Sequence, residues 1–294
     1  MKTANGIVKT PTGLILYEGK SLLDGKQIVV IANAFLNSEN PKTGNVIQTW
    51  ILVKDTPPIQ AHQEGKDKSI CGDCKHRHFG SCYVNLVYGP TPVYNAYKNG
   101  LYRKMTLDDM IFFKDKTVRL GSYGDPGSTP FYVWQSICSV AKATIGYTHQ
   151  YLTCDPSLKN YCMASVDSIE NYYQEKTKAQ NLGWRTFRIK TKTDTTLFPD
   201  EMICPASNEA GNLTTCLSCK SCSGLNAQDR KNPVISTHGW DCRVNHYIKG
   251  MKKIKNKKAW KKTFAAIKNV IKNNQKEQIP LQQNIICDTL LQPV

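Results

Sequence analysis

Two apolar, β-branched runs open the readable part of the chain, QIVVIANAF (27–35) and VIQTWILVKD (46–55), separated by LNSENPKTGN, which is dense in turn formers. This pattern predicts a pair of adjacent strands. The polar stretch TPPIQAHQEGKDK follows, and a boundary is expected there, at residue 62. From about residue 115 the pattern becomes repetitive. Strand TVRLGSYGD leads to helix STPFYVWQSICSVAKA, with Ser128 or Thr129 as its cap and Pro130 in the first turn. Strands TIGYTHQYL and YCMASVD come next, then helix SIENYYQEKTKAQNLG closed by Gly183, then strands WRTFRIKT, EMICPA and NPVISTHG.

Strands alternating with helices predict parallel pairing through right-handed crossovers. Their number and spacing favour an α/β fold built as an open or partial (β/α) barrel over a doubly wound sheet. Three segments are expected: a β-rich segment 1–62, an α/β core 63–248 and a basic helical arm 249–294. In such architectures ligands gather beyond the carboxyl ends of the strands. The polar residues at those ends are Ser122, Tyr123 and Asp125; Tyr147, Thr148 and His149; Ser165 and Asp167; Arg188 and Lys190; Cys204; and Thr237 and His238. Among them, Asp125, His149 and Asp167 are the candidates for proton transfer or substrate positioning. Ser122, Tyr123 and Ser165 are the candidates for holding a cofactor. The glycines around Asp125 do not form a phosphate loop, because neither G-x-G-x-x-G nor a G-K-S/T ending is present.

A hydrophobic content of 40% with 21% charged residues is that of a folded globular chain. No apolar run reaches the length of a membrane span, and MKTANGIVKT lacks the hydrophobic segment of a secretory signal. A cytoplasmic protein without a membrane partner is the expectation. In a reducing compartment twelve cysteines point to metal ligation before disulfides. Seven of them fall in two groups. Cys204, Cys216, Cys219 and Cys222 combine two overlapping C-x2-C pairs with a fourth thiol at a strand end, a complete ligand set for a 4Fe–4S cluster or for zinc. Cys71, Cys74 and Cys82 form C-x2-C-x7-C around His76 and His78. That group could close a zinc site with one histidine, or hold a cluster with one iron open. The HRH triplet also invites comparison with the paired histidines of rolling-circle replication initiators, with Tyr94, Tyr97 and Tyr102 downstream. Such pairs need an apolar residue where Arg77 stands. Cys138, Cys154, Cys162, Cys242 and Cys287 are scattered and receive no role.

The net charge is +16, and the segment 249–276 alone carries eleven lysines and no acid. Trp260, Phe264, Ile267 and Ile271 fall on one helical face that could dock on the protein body. Lys252, Lys253, Lys255, Lys257, Lys258, Lys261 and Lys262 would then face nucleic-acid phosphates, DNA or RNA.

The segments ICGDC…SCYVN, RLGSYGDP, GYTHQ, ASVDS, GWRTFRI and ICPAS…TTCLSCKSCSG…NPVISTHG together resemble a family of uncharacterised proteins encoded by tailed phages, over roughly residues 65 to 240. That resemblance implies the host cytoplasm as location and carries no established reaction. More distantly the plan is similar to radical-SAM-like partial-barrel proteins, in Cys82-Tyr83 and in Gly121-Ser122 with Asp125-Pro126. This second resemblance implies S-adenosylmethionine as a candidate cofactor, although C-x2-C-x7-C departs from the C-x3-C-x2-C of those enzymes. The leading expectation is an iron–sulfur enzyme acting on nucleic acid. The alternatives are a zinc-stapled nucleic-acid-binding protein and a replication initiator using His76 and His78.

Overall fold

The computed structural model describes residues 10–36, 40–78, 80–169, 171–227, 231–237 and 241–253, excluding the side chains of His78, Asp241, Arg243, Lys252 and Lys253. Three antiparallel strands begin the fold, β1 (Gly13–Lys20), β2 (Gln27–Asn33) and β3 (Ile47–Val53). Short helices α1 (Pro58–Gln63), α2 (Lys68–Cys71) and α3 (Lys75–His78) follow, then α4 (Pro90–Lys98) and the two-residue strand β4 (Arg103–Lys104). The alternating part comprises β5 (Thr117–Tyr123), α5 (Phe131–Cys138), β6 (Ala143–Thr148), β7 (Met163–Val166), α6 (Tyr172–Asn181) and β8 (Thr186–Lys190). It ends with β9 (Glu201–Ile203), α7 (Cys216–Cys219), β10 (Asn232–Ser236) and α8 (Asp241–Lys253).

Among the described residues these strands make one ten-stranded sheet in the order β4-β1-β2-β3-β5-β6-β7-β8-β10-β9. Every pairing from β3 onward is parallel, as the alternation of strands and helices predicts. The β-rich segment runs straight into the α/β segment, because β3 pairs with β5. The chain divides into a compact unit Met1–Lys252 and a second unit Lys253–Val294, of which only Lys253 is described. Ile28 to Ala32 are entirely buried, so β2 is covered on both faces. Trp134, Ile137 and Phe113 are equally buried, and the Trp134 indole N–H donates to the Pro126 carbonyl at 2.9 Å.

Two local expectations change. Strand β1, GLILYEGK, has consecutive apolar residues without alternation, and it was not among the predicted strands. Helix α5 begins at Phe131 behind Pro130 and has no side-chain cap. The hydroxyl of Ser128 turns back to the Asp125 carbonyl at 2.7 Å, and a short 3-10 turn at Pro126–Ser128 fills the space between.

One irregularity sets the geometry of the site. Gln48 and Trp50 of β3 pair with Arg119 and Tyr123 of β5, so β5 bulges between them. Thr49 bridges the bulge, its hydroxyl donating to the Arg119 carbonyl at 2.8 Å and accepting from the Gly121 N–H at 2.9 Å. Gly121 has φ +66 and Gly124 φ +82, and a Cβ would lie 2.5 Å from the Gly124 carbonyl or 2.6 Å from the Ile51 Cβ respectively. Only glycine fits both places. The result is a tight end to β5 that folds Asp125 back against β6.

Candidate functional site

Asp125, His149 and Asp167, which end three neighbouring strands, meet. The His149 ring lies between the two carboxylates, with Nδ1 3.2 Å from Asp125 Oδ2 and Nε2 3.1 Å from Asp167 Oδ2. Burial opposes charge on this imidazole, but the surrounding Cys74 and Asp167 charges and the bonds to both carboxylates hold its pKa well above the ordinary value. Asp167 is held well below the carboxylate range: His149 and His76 overcome the cost of its burial. Both shifts favour the imidazolium–carboxylate form, in which both ring nitrogens donate.

The two aspartates differ in what remains available. Asp125 accepts four hydrogen bonds, from the Gly127 N–H at 2.8 Å, the Thr148 hydroxyl at 2.6 Å, the His149 N–H at 2.7 Å and the His149 ring. It is 4% exposed and acts as the joint between β5 and β6. Asp167 accepts from the Ser165 hydroxyl at 2.6 Å and faces His76 Nε2 at 3.6 Å. The His76 ring stacks on Tyr247 of α8 with centroids 4.7 Å apart, and the Tyr247 hydroxyl donates to the Asp167 carbonyl. Among the described residues His76 Nε2 is buried and has no partner within hydrogen-bond distance, Asp167 lying just beyond it at 3.6 Å.

The three-cysteine loop borders this network. The Asp125 N–H donates to the Ile70 carbonyl at 2.6 Å, which fastens the end of α2, and so Cys71, to the end of β5. Arg77 pins the loop from below: its Nε donates to Asp67 at 2.6 Å and its Nη2 to the Gly65 carbonyl at 3.0 Å. This is why an arginine stands between the two histidines. Cys71, Cys74 and Cys82 all line one cavity of about 310 Å³. Burial and the neighbouring cysteines raise the Cys71 pKa strongly, and burial raises that of Cys82 to about 11. Such thiols ionise readily only beside a cation.

Cys204, Cys216, Cys219 and Cys222 line a second, smaller cavity of about 30 Å³. Cys216 and Leu217 donate backbone N–H groups to the carbonyls of Lys42 and Thr43, so the β2–β3 loop braces this turn. Arg185 holds it from the other side, donating to the carbonyls of Ser221 at 2.9 Å, Gly224 at 3.0 Å and Lys231. The Tyr147 hydroxyl donates to Cys222 Sγ at 3.4 Å. The eleven described cysteines are all free. No three His, Cys, Asp or Glu side chains among the described residues already stand in coordination geometry.

Other predicted positions separate. Arg188 and Lys190 lie off the cavity, which their strand neighbours Phe187 and Ile189 line instead. Arg188 forks onto Glu201 at 3.0 and 2.7 Å, and Lys190 donates to the Asp194 carbonyl at 2.6 Å. Arg188 ties β8 to β9, and Lys190 ties it to the loop before β9. Ser122 is committed to Gln48 at 2.6 Å and Ser165 to Asp167. Tyr123 and Thr237 line the large cavity with buried hydroxyls that have no partner among the described residues. Tyr94 is buried in the core and Tyr97 donates to Glu18 at 2.5 Å, so these tyrosines form a packed face away from the cavity. His238, Lys255, Lys257, Lys258, Lys261 and Lys262, with Trp260, Phe264, Ile267, Ile271 and Cys287, lie outside the described residues, as do the side chains of His78, Lys252 and Lys253.

Sequence reasoning missed Arg119, Arg185 and Tyr247. The signal for Arg119 was present: a lone arginine inside the apolar strand TVRLG. No helix among the described residues is long and apolar enough to cross a membrane. The chain matches no protein-family model, no curated protein and no solved structure.

Proposed function

We propose that this chain is an iron–sulfur protein of tailed-phage type on a radical-SAM-like partial barrel, acting on nucleic acid. In this reading Cys71, Cys74 and Cys82 hold a cluster facing the large cavity, and Cys204, Cys216, Cys219 and Cys222 hold a second. The observation that carries it is convergence: the three-cysteine loop, Asp125 and His149 line the same cavity at the strand ends, and Asp167, which does not line it, bonds to His149. Three thiolates around a cluster leave one metal position open to a ligand in that cavity, S-adenosylmethionine included. His149, whose cationic form is favoured between two carboxylates, supplies a proton donor and an electrostatic anchor beside it. Lysines of the segment 249–276 add sequence-independent phosphate affinity.

Zinc in the four-cysteine set is the second reading, favoured by the size of its cavity. About 30 Å³ has room for a single ion, and a closed four-thiolate site is a structural one. Anaerobic expression with measurement of iron, sulfide and zinc decides between them. Iron and sulfide with broad visible absorption, lost on Cys71→Ala, support the enzyme. A colourless protein carrying zinc alone rejects it in favour of a zinc-stapled binding protein.

A further inference from the structure

The large cavity has a second charged feature, beside the Cys82-Tyr83 end of the cysteine loop. Arg119 projects into it from β5, yet among the described residues its guanidinium makes one hydrogen bond, from Nη2 to the Tyr83 hydroxyl at 3.0 Å, and no ion pair with a carboxylate. Five N–H donors with a single neutral partner form an incomplete arrangement for an arginine lining a cavity. Lys42 lines the same cavity and has no ion pair among the described residues either. Tyr123 and Thr237 add two hydroxyls without partners among the described residues, each on a residue under a tenth exposed. Between these polar groups the wall is apolar, made by Ile145, Phe187 and Ile235.

The sheet register gives the length of what would fit. Arg119 pairs with Ile145 on β6, and His149 lies four residues further along the chain. Four residues of extended strand span roughly 13 Å. A ligand touching both ends therefore has an oxyanion at one end, an apolar or ring-containing middle and a polar group at the other. A cavity of about 310 Å³ accepts a small ligand of that shape.

We propose that this cavity binds a phosphomonoester of nucleotide size, with its phosphate on Arg119 and its opposite end toward His149. The proposal deepens the nucleic-acid reading by naming the substrate class, and it requires no metal at either cysteine set. Arg119 provides a two-pronged grip on phosphate oxygens, and Lys42 adds charge. Tyr123 and Thr237 bond to the polar edge of the sugar or ring.

The test is calorimetry on the full-length protein at fixed ionic strength, with the common nucleoside 5′-monophosphates, the matching nucleosides and inorganic phosphate. At least one nucleotide is expected to bind tenfold or more tightly than its nucleoside and than phosphate alone. Arg119→Gln should erase that difference and Arg119→Lys should restore part of it. Should Arg119→Gln fail to fold, the double variant Tyr123→Phe with Thr237→Val should weaken the nucleotide severalfold. Lys114→Gln with Lys116→Gln, exposed residues just before β5, should leave binding unchanged. The proposal is overturned if no nucleotide binds the folded protein, if nucleosides bind equally well, or if that lysine pair weakens binding as much as Arg119→Gln does. Metal content measured on the same preparation separates the two ideas. Nucleotide binding by a metal-free protein sinks only the cluster, and a metal-loaded protein indifferent to nucleotides sinks only this site.

Discussion

At the scale of the residue, Asp125 shows how a side chain can sit in a functional site and still be structural. Its four accepted hydrogen bonds use the capacity of both oxygens, and it holds His149 by backbone and ring together. Asp125→Asn would set an amide against groups that already donate. A loss of about 2–4 kcal/mol is expected in urea unfolding, the range for stranding buried donors on a charged partner. A change within a few tenths of a kcal/mol would mean that the joint between β5 and β6 is held elsewhere. Asp125 was legible as a site residue from its place at a strand end before proline. Its saturation was not, because two of its partners, Thr148 and His149, lie on the next strand.

At the scale of the element, buried arginines stabilise loops that have little core of their own. Arg185 accounts for three carbonyls of the segment carrying Cys219 and Cys222 and the strand after it. Arg185→Met should cost about 2–4 kcal/mol and, if both cysteine sets hold metal as proposed, lower the metal content of the four-cysteine set while leaving that of the three-cysteine loop intact. Equal loss at both sets, measured by metal analysis beside Cys71→Ala, would contradict this division. At the other end of the sheet, Arg103 of β4 forks onto Asp109 at 2.6 and 2.5 Å. That hydrogen bonding, with help from Thr106 and against the cost of burial, lowers the Asp109 pKa to about 2. An unfolded Asp titrates near roughly 4, so the stabilisation is complete above that pH and is lost as pH falls toward 2. The half-exposed arginine discounts its size to about 1–2 kcal/mol. Urea midpoints at pH 5 and pH 2.5 should fall further in the wild type than in Asp109→Asn, and parallel falls would reject the assignment.

At the scale of the whole molecule, charge and cavity make separate claims. If the lysine-rich segment supplies nonspecific phosphate affinity, replacing Lys255, Lys257, Lys258, Lys261 and Lys262 by Gln should weaken binding to single-stranded DNA or RNA. It should also reduce the slope of log affinity against log salt by about 3–5 units, since each phosphate contact contributes close to one. An unchanged slope would show that those lysines only solvate the protein.

The sequence by itself determined the elements. β-Branched runs and turn formers marked β2, β3 and the strands from β5 onward but neither β1 nor the two-residue β4, the alternation with helices required parallel pairing, and cysteine spacing marked out two thiol groups. These are local properties, set by period and by neighbours within a few residues. Tertiary structure alone decided which of the polar strand ends face one another. The bulge at Gly121 carries Asp125 back onto β6, and sheet order sets His149 between carboxylates 24 residues before and 18 residues after it. Strand alternation turned Arg188 toward Glu201 and left Phe187 in the cavity. It also placed Arg119, a lone charge in an apolar strand, where an anion can reach it. A pairing between distant segments depends on register and on the direction of each side chain, and neither is written in any short stretch of the chain.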